Sequence, residues 1–107
     1  MKHIYIASPY TGQEIEGVNR QIKIAHLLID AGLVPVWPLC SHYVHEQYPK
    51  DYKVWMNIDF SLLARCDVFL RIQLPSKGAD MEEQSAIYNN IPVYYSVDEV
   101  IDRYGNE

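Results

Sequence analysis

The stretch DVFLRIQLPSKGADMEEQSAIYNNIPVYY, residues 67–95, decides the fold of this chain. It opens with DVFLRI (67–72) and closes with IPVYY (91–95), two short runs rich in β-branched and aromatic residues that predict strands. A Pro-Ser-Lys-Gly turn and a polar helical segment lie between them. A strand, a helix and a strand at this spacing predict a βαβ unit, whose two strands are parallel.

The rest of the chain alternates strands and helices in the same way. Its predicted elements are a strand at 3–7, a helix from about Val18 to Ala31, a strand at 33–38, a polar and aromatic loop at 41–52, and helices at 52–66 and 97–105. The prolines of the second strand place it at an edge of the sheet. The buried face of the 52–66 helix is expected to hold four apolar residues, Trp55, Ile58, Leu62 and Leu63.

These elements predict one small doubly wound α/β domain of the Rossmann-like or flavodoxin-like type over residues 1–107. We expect about four parallel strands in the order 2-1-3-4, with helices on both faces. In such a sheet, ligands bind beyond the C-terminal ends of the strands, where the strand order reverses. The loops at that point are SPYTG (8–12) and QLPSKGAD (73–80), so we expect the functional site there.

Composition and charge argue against several classes of function. The 107 residues carry a net charge of −5 with no cluster of Lys and Arg, which argues against binding a nucleic acid polymer. No apolar run approaches the roughly 20 residues that cross a bilayer, and the N-terminus lacks the apolar core of a signal peptide. We therefore expect a cytoplasmic protein with no membrane partner, in which Cys40 and Cys66 are reduced packing residues. Because so short a chain buries little surface, a homodimer or higher homo-oligomer is also expected.

Neither a cofactor nor a metal is indicated. The sequence contains no GxGxxG, GxxxxGK[ST] or GxSxG pattern. His42 and His45 have a spacing that could chelate a metal, but no third ligand is evident, and histidines that line a surface or a substrate are commoner. We therefore expect a site that works with protein side chains alone.

The helix after Gly78 carries the first candidate catalytic residue, Glu82. The helix N-terminus would keep its carboxylate ionised, as a nucleophile or an electrostatic stabiliser requires. The alternative is a solvated acid that merely complements the helix dipole. Ser76, Gly78 and the backbone N–H groups of Ala79 and Asp80 could likewise form either an anion cradle or an ordinary turn.

Two further residues are candidates for the same site. Asp59 interrupts an apolar helix face, so it could supply a second carboxylate or could simply face solvent. Tyr5 lies in the first strand near its ligand edge, where a tyrosine is usually a core residue unless its hydroxyl faces the site.

Four segments together resemble the nucleoside 2-deoxyribosyltransferase superfamily, which includes deoxynucleoside 5′-monophosphate N-glycosidases and small relatives, some encoded by phages. These segments are IYIASPYTG (4–12), VPVWP (34–38), NIDFSLLARCDVFLRI (57–72) and SKGADMEEQSAIYNNIPV (76–93). The strongest motif is Gly-x-x-x-Glu-x-x-x-Ala, here Gly78, Glu82 and Ala86. Members of the superfamily cleave the bond between base and (deoxy)ribose through a glutamate nucleophile.

The resemblance implies a role for each candidate. Glu82 matches the nucleophile, Tyr5 the tyrosine that holds it, and Asp59 the aspartate that serves base protonation. Ser76 lies where the monophosphate hydrolases have a serine that contacts phosphate and the nucleoside transferases an aspartate, which favours a 5′-monophosphate. The other implied substrate-binding residues are Ser8, Pro9, Tyr10, Trp37, His42, Tyr43, Gly78 and Ala79, with the three at 37–43 expected to wall the base.

The implied activity is cleavage of the N-glycosidic bond of a (deoxy)nucleoside 5′-monophosphate without a cofactor. The partner is then a small-molecule nucleoside or nucleotide, and the sugar passes to water or to another base. The alternatives are a non-catalytic nucleotide-binding module of the same fold and a packing domain of a larger assembly. The combination of Tyr5, Asp59 and Glu82 favours the enzyme, because a pure binding module needs no nucleophile with an acid partner.

Overall fold

A computed structural model describes residues 1–106 of the chain. Within this range, four parallel strands form one sheet in the order β2-β1-β3-β4, which confirms the predicted fold class. The strands are β1 (His3–Ala7), β2 (Val34–Val36), β3 (Val68–Arg71) and β4 (Val93–Tyr94). The order reverses between β1 and β3, so the crevice expected for a ligand lies at their C-terminal ends.

Five α-helices and one 3₁₀ helix lie between or after the strands of the described range. They are α1 (Glu14–Asp30), the 3₁₀ helix (Pro38–Ser41), α2 (His42–Gln47), α3 (Tyr52–Leu63), α4 (Lys77–Tyr88) and α5 (Val97–Tyr104). None of these helices is long and apolar enough to cross a membrane.

Side chains of β1 alternate between the two faces of the sheet. Ile4 and Ile6 belong to the hydrophobic cluster that also holds residues of α1 and α5. Tyr5 and Ala7 belong to the opposite cluster, with residues of α3 and α4. The period of two therefore turns Tyr5 towards the layer that contains α4.

The segment before α3 differs from the loop predicted at 41–52. A 3₁₀ helix with proline at its start leads directly into α2, and His42 of α2 is buried. A helix of six residues is not stable alone, so tertiary contacts such as that of His42 with Tyr10 stabilise it. Its polar and aromatic sequence has no apolar period, which is why the pattern did not predict it.

The apolar pattern of α3 was also misleading. Ile58 and Leu62 are 43% and 40% exposed, whereas Met56 and Leu63 are buried. The expectation that Ile58 and Leu62 face the core is therefore wrong. Part of the inner side of α3 borders the crevice, so it carries Asp59 there beside apolar residues.

Candidate active site

A cavity of about 610 Å³ lies at the reversal point of the sheet. Its walls come from the loop after β1, the segment around α2, the inner side of α3 and the first turns of α4. This position agrees with the general rule that ligands of open α/β sheets bind at the strand-order reversal. The cavity is therefore our candidate active site.

Glu82 of α4 lines this cavity although its side chain is only 6% exposed. The Tyr5 hydroxyl donates a hydrogen bond to Glu82 Oε2. Tyr5 is fully buried, and its ring stacks on Phe69 with centroids 5.8 Å apart. Packing within the sheet thus holds the hydroxyl that orients the carboxylate, and Glu82 is not a solvated acid.

Burial changes the ionisation of Glu82. Loss of solvation raises its pKa to about 8, although the Tyr5 hydrogen bond and the charge of Arg71 act in the opposite direction. Burial, reinforced by Glu82, also raises the pKa of Tyr5 far above its ordinary value, so Tyr5 stays a donor. Desolvation therefore disfavours the ionised carboxylate that was expected at the helix N-terminus.

Asp59 lines the same cavity, so the structure brings the two candidate carboxyl groups together. Its position away from solvent raises its pKa to about 7. Interacting carboxyl groups that titrate in the same range do so as a pair. Because both pKa values are raised into the neutral range, one group can hold a proton and act as an acid while the other is ionised and acts as a nucleophile or base.

Ser76 caps the start of α4. Its Oγ accepts a hydrogen bond from the Ala79 N–H at 3.1 Å, and its carbonyl accepts one from the Asp80 N–H at 3.0 Å. The anion cradle predicted from these two N–H groups is therefore wrong, since both are used within the helix start. The N–H groups of Lys77 and Gly78 have no acceptor in residues 1–106, and both residues line the cavity with Ser76.

The loop after β1 contributes three lining residues that the sequence pointed to, Ser8, Pro9 and Tyr10. The buried side chain of Gln21 holds this loop in place. Its Nε2 donates to the Ile6 carbonyl and to Ser8 Oγ, each at 3.0 Å, and its Oε1 accepts from the Leu39 N–H at 3.1 Å. One side chain therefore ties the end of β1 to the 3₁₀ helix.

Three residues that were expected to wall the base lie outside the cavity lining. Trp37 packs against the hydrophobic cluster beneath α1, and Tyr43 is 54% exposed. His42 is buried, with Nδ1 2.6 Å from the Tyr10 hydroxyl and Nε2 3.4 Å from Glu46 Oε2. None of the three borders the cavity, and His42 instead supports the lining residue Tyr10.

The sequence matches the model of a family described as a domain of unknown function, DUF7768, over residues 2–96. The chain belongs to this family. No functionally curated protein matches it. Among solved structures, its fold is similar to a 2-deoxyribosyltransferase from the psychrotolerant bacterium Bacillus psychrosaccharolyticus, a biocatalyst for nucleoside synthesis. The TM-score is 0.58 at 18% identity, with 85% of this chain and 69% of the other covered, so the likeness establishes a shared fold.

In this DUF7768 chain, part of the cavity is built by residues that the sequence patterns did not identify. They are Gln13, Glu14, Leu39, Ser41, Lys50, Tyr52, Trp55 and Met56. A signal existed for Trp55, because it precedes Asp59 by four residues and so lies on the same side of a helix. The sequence left His45 open between a surface histidine and one that lines a substrate, and the structure places it in the cavity lining.

Arg71 at the end of β3 anchors the beginning of α4. Its Nη1 lies 2.6 Å from Asp80 Oδ1 and 3.4 Å from Glu83 Oε1, and its Nη2 donates to the Leu74 carbonyl at 3.3 Å. The Arg71 side chain is 11% exposed, so these contacts are less screened than those of an ordinary surface pair. The network holds the first turns of α4, and with them Glu82, against the sheet.

Proposed function

We propose that this protein cleaves the N-glycosidic bond of a (deoxy)nucleoside 5′-monophosphate, with Glu82 as nucleophile and Asp59 as acid. The observation that carries the proposal is the buried Tyr5–Glu82 hydrogen bond at a cavity that Asp59 also lines. Retaining glycosidases pair a carboxylate nucleophile with an acid in this way. The Gly78-Glu82-Ala86 motif and the likeness of fold to a 2-deoxyribosyltransferase support the same chemistry.

In the free protein Glu82 has the higher pKa of the two, so the reactive state, with Glu82 ionised and the proton on Asp59, is the minor form of the singly protonated pair. In the first step, the carboxylate of Glu82 in this state attacks C1′ of the sugar. The bond from C1′ to the base nitrogen breaks, and its electron pair leaves with the base. The proton held by Asp59 moves to the base, directly or through water, so that the base departs neutral. A carboxyl group that titrates near neutrality is suited to this transfer because it can both hold a proton and release it.

In the second step, water attacks C1′ of the glycosyl-enzyme. The Asp59 carboxylate takes a proton from this water, and the electrons of the C1′–O bond return to the Glu82 carboxylate. Both residues are then restored to their starting states. If a free base replaces water as the attacking group, the product is a new nucleotide and the protein acts as a transferase.

The start of α4 offers a place for the 5′-phosphate. Ser76 and the N–H groups of Lys77 and Gly78 line the cavity at the positive end of the helix dipole. Lys50 lines the same cavity from the segment after α2. Helix donors and a lysine in the lining of one cavity favour a nucleotide over an uncharged nucleoside.

Release of free base, measured by chromatography, tests this function. The substrates are a panel of nucleosides and their 5′-monophosphates, each with and without a second free base. We expect the wild-type protein to release base and Glu82→Gln to lose at least about 1000-fold in rate, because a carboxamide cannot act as the nucleophile.

Glu83→Gln is the matched control for this experiment. Glu83 is the next residue of α4, but its carboxylate contacts Arg71 and Tyr95 and does not line the cavity. The control should keep most of the activity. Equal rates for the wild type and Glu82→Gln would refute the nucleophile assignment, and nucleotide binding without turnover would identify a non-catalytic binding module.

A further inference from the structure

His45 of α2 lines the cavity and is held by two hydrogen bonds to one ring nitrogen. The Trp55 Nε1–H donates to His45 Nδ1 at 2.8 Å, and the Lys50 backbone N–H donates to the same atom at 3.1 Å. The His45 and Trp55 rings meet edge to face, with centroids 5.8 Å apart. The position of the imidazole is therefore set by α3 and by the segment that follows α2.

These two contacts also decide which nitrogen of His45 carries the proton. An indole N–H and a backbone N–H can only donate, so Nδ1 must present its lone pair to them. The ring proton of the neutral imidazole is then on Nε2. Within residues 1–106, the Nε2 atom of His45 contacts no hydrogen-bond acceptor, and it is not sealed off from solvent. This N–H is therefore an accessible donor.

The neighbouring acid presents a donor as well. Trp55 and Asp59 are one helical turn apart on α3, and both line the cavity with His45. In the protonated form that the proposed first step requires, the Asp59 carboxyl donates a hydrogen bond. The part of the cavity wall formed by His45, Trp55 and Asp59 thus offers two donors from side chains, beside the aromatic face of Trp55.

We propose that the Nε2–H of His45 makes this cavity select bases that present a carbonyl oxygen over bases that present an amino group at the same position. The inference rests on the proposed function, because it takes this part of the cavity wall to contact the base. An amino group would face another N–H there, and both donors would stay unpaired. An unpaired buried donor costs enough to lower the rate by about 10- to 100-fold.

Two pairs of nearly isosteric substrates test this selection. Inosine and adenosine 5′-monophosphates differ by an oxo against an amino group, and uridine and cytidine 5′-monophosphates differ in the same way. The deoxy forms serve equally if the protein requires them. We expect kcat/KM of the wild type to favour the oxo member of at least one pair by about 10- to 100-fold. A ratio of about one in both pairs would overturn the proposal.

Two substitutions separate a specificity role from a structural one. His45→Phe keeps a ring but removes the donor, so the oxo-to-amino ratio should fall to about one. In His45→Gln, the Trp55 and Lys50 donors should attract the amide oxygen and turn the NH₂ group towards the base, so most of the preference should return. His26→Phe is the control, because His26 is exposed on α1 and pairs there with Asp30. Equal losses on both substrates, with the ratio unchanged, would refute the proposal.

Two further measurements keep this inference separate from the proposed function. The ¹⁵N chemical shifts of the His45 ring in the wild type report the tautomer directly, and a proton on Nδ1 would contradict the proposal. If no substrate turns over, calorimetric titration with the same nucleotides still applies. Tighter binding of the oxo member that His45→Phe abolishes would support the inference while the glycosidase function fails. Equal affinities, or no binding of any of the four, would overturn the inference.

Discussion

Tyr5 and Glu82 are 77 positions apart in the chain, yet a hydrogen bond joins them next to the cavity. At the scale of single residues, this contact opposes the effect of burial, because the phenol stabilises the ionised form of the carboxylate that desolvation disfavours. In the proposed reaction, the negative charge on Glu82 disappears as the bond to C1′ forms. Tyr5 therefore has to orient the nucleophile without holding its charge too strongly.

Replacing Tyr5 with phenylalanine should lower kcat by about 10- to 100-fold and move the acidic limb of the pH–rate profile upwards. The reason is that the lost hydrogen bond lowers the pKa of Glu82, so its pKa is higher without it. Since Glu82 must be ionised to attack, the rate then rises only at higher pH. The measurement is kcat and kcat/KM against pH for the wild type and the variant. Both proteins are given the same substrate, because its phosphate itself titrates near pH 6 and contributes equally to both profiles. An unchanged acidic limb would argue against Tyr5 as the residue that lowers the pKa of Glu82. Phenylalanine can keep the ring stack on Phe69, so the substitution should disturb the fold little.

At the scale of elements, the start of α4 combines a structural and a proposed binding role. Ser76 caps this helix through the Ala79 N–H, and Ser96 caps α5 through the Glu99 N–H in the same way. Only the first of these two caps borders the cavity. The chain therefore contains a natural pair of sites at which capping can be separated from phosphate binding.

Ser76→Ala and Ser96→Ala should each cost about 1 kcal/mol of unfolding free energy, since each removes one capping hydrogen bond. Ser76→Ala should in addition raise KM for a 5′-monophosphate by about 5- to 20-fold, because it removes a hydrogen bond to a charged group. Denaturant titration and steady-state kinetics measure the two effects. KM for the unphosphorylated nucleoside should change little in either variant. An equal KM for both variants on the monophosphate would remove Ser76 from the phosphate site.

At the scale of the whole molecule, two acids desolvated at one cavity reduce stability when they ionise. The folded state raises the pKa of Glu82 from 4.5 to about 8 and that of Asp59 from 3.8 to about 7. Between the unfolded and folded values, the folded protein binds more protons than the unfolded chain, so stability must fall as pH rises. Active sites often lower the stability of the folded protein in this way, and the total stability of a domain is only about 5–15 kcal/mol.

We therefore expect the unfolding free energy to decline from about pH 4 to pH 8, by roughly 2–5 kcal/mol for Glu82. Glu82→Gln should flatten this decline and raise the melting temperature by several degrees at pH 8, with a much smaller difference at pH 4. Glu16→Gln is the control, since Glu16 is an exposed acid in the first turn of α1. Thermal melts across this pH range measure the effect. If the stability of the wild type and that of Glu82→Gln declined in parallel with pH, Glu82 would not be the buried acid that causes the decline.

Much of the fold could be predicted because the relevant signals are local. Short β-branched runs predict strands, their alternation with helices predicts a parallel sheet, and the right-handed crossover rule puts helices on both faces, as in the doubly wound order β2-β1-β3-β4 that the structure shows. The segment 41–52 could not be predicted, because α2 depends on contacts such as Tyr10 with His42 and Trp55 with His45. Self-association, a single domain and a cytoplasmic location stay predictions. Sedimentation velocity would test the first of them.

By itself, the sequence determined the alternation of strands and helices, the parallel sheet and the two loops that border the crevice. These depend on local periodicity and on chain chirality. Only the tertiary structure decided which side chains reach the cavity. It left out Trp37 and Tyr43, brought in His45, and desolvated Glu82 where an ionised acid was expected. The physical reason is that one position along a helix turns a side chain by about 100°, and that burial depends on how distant segments pack together.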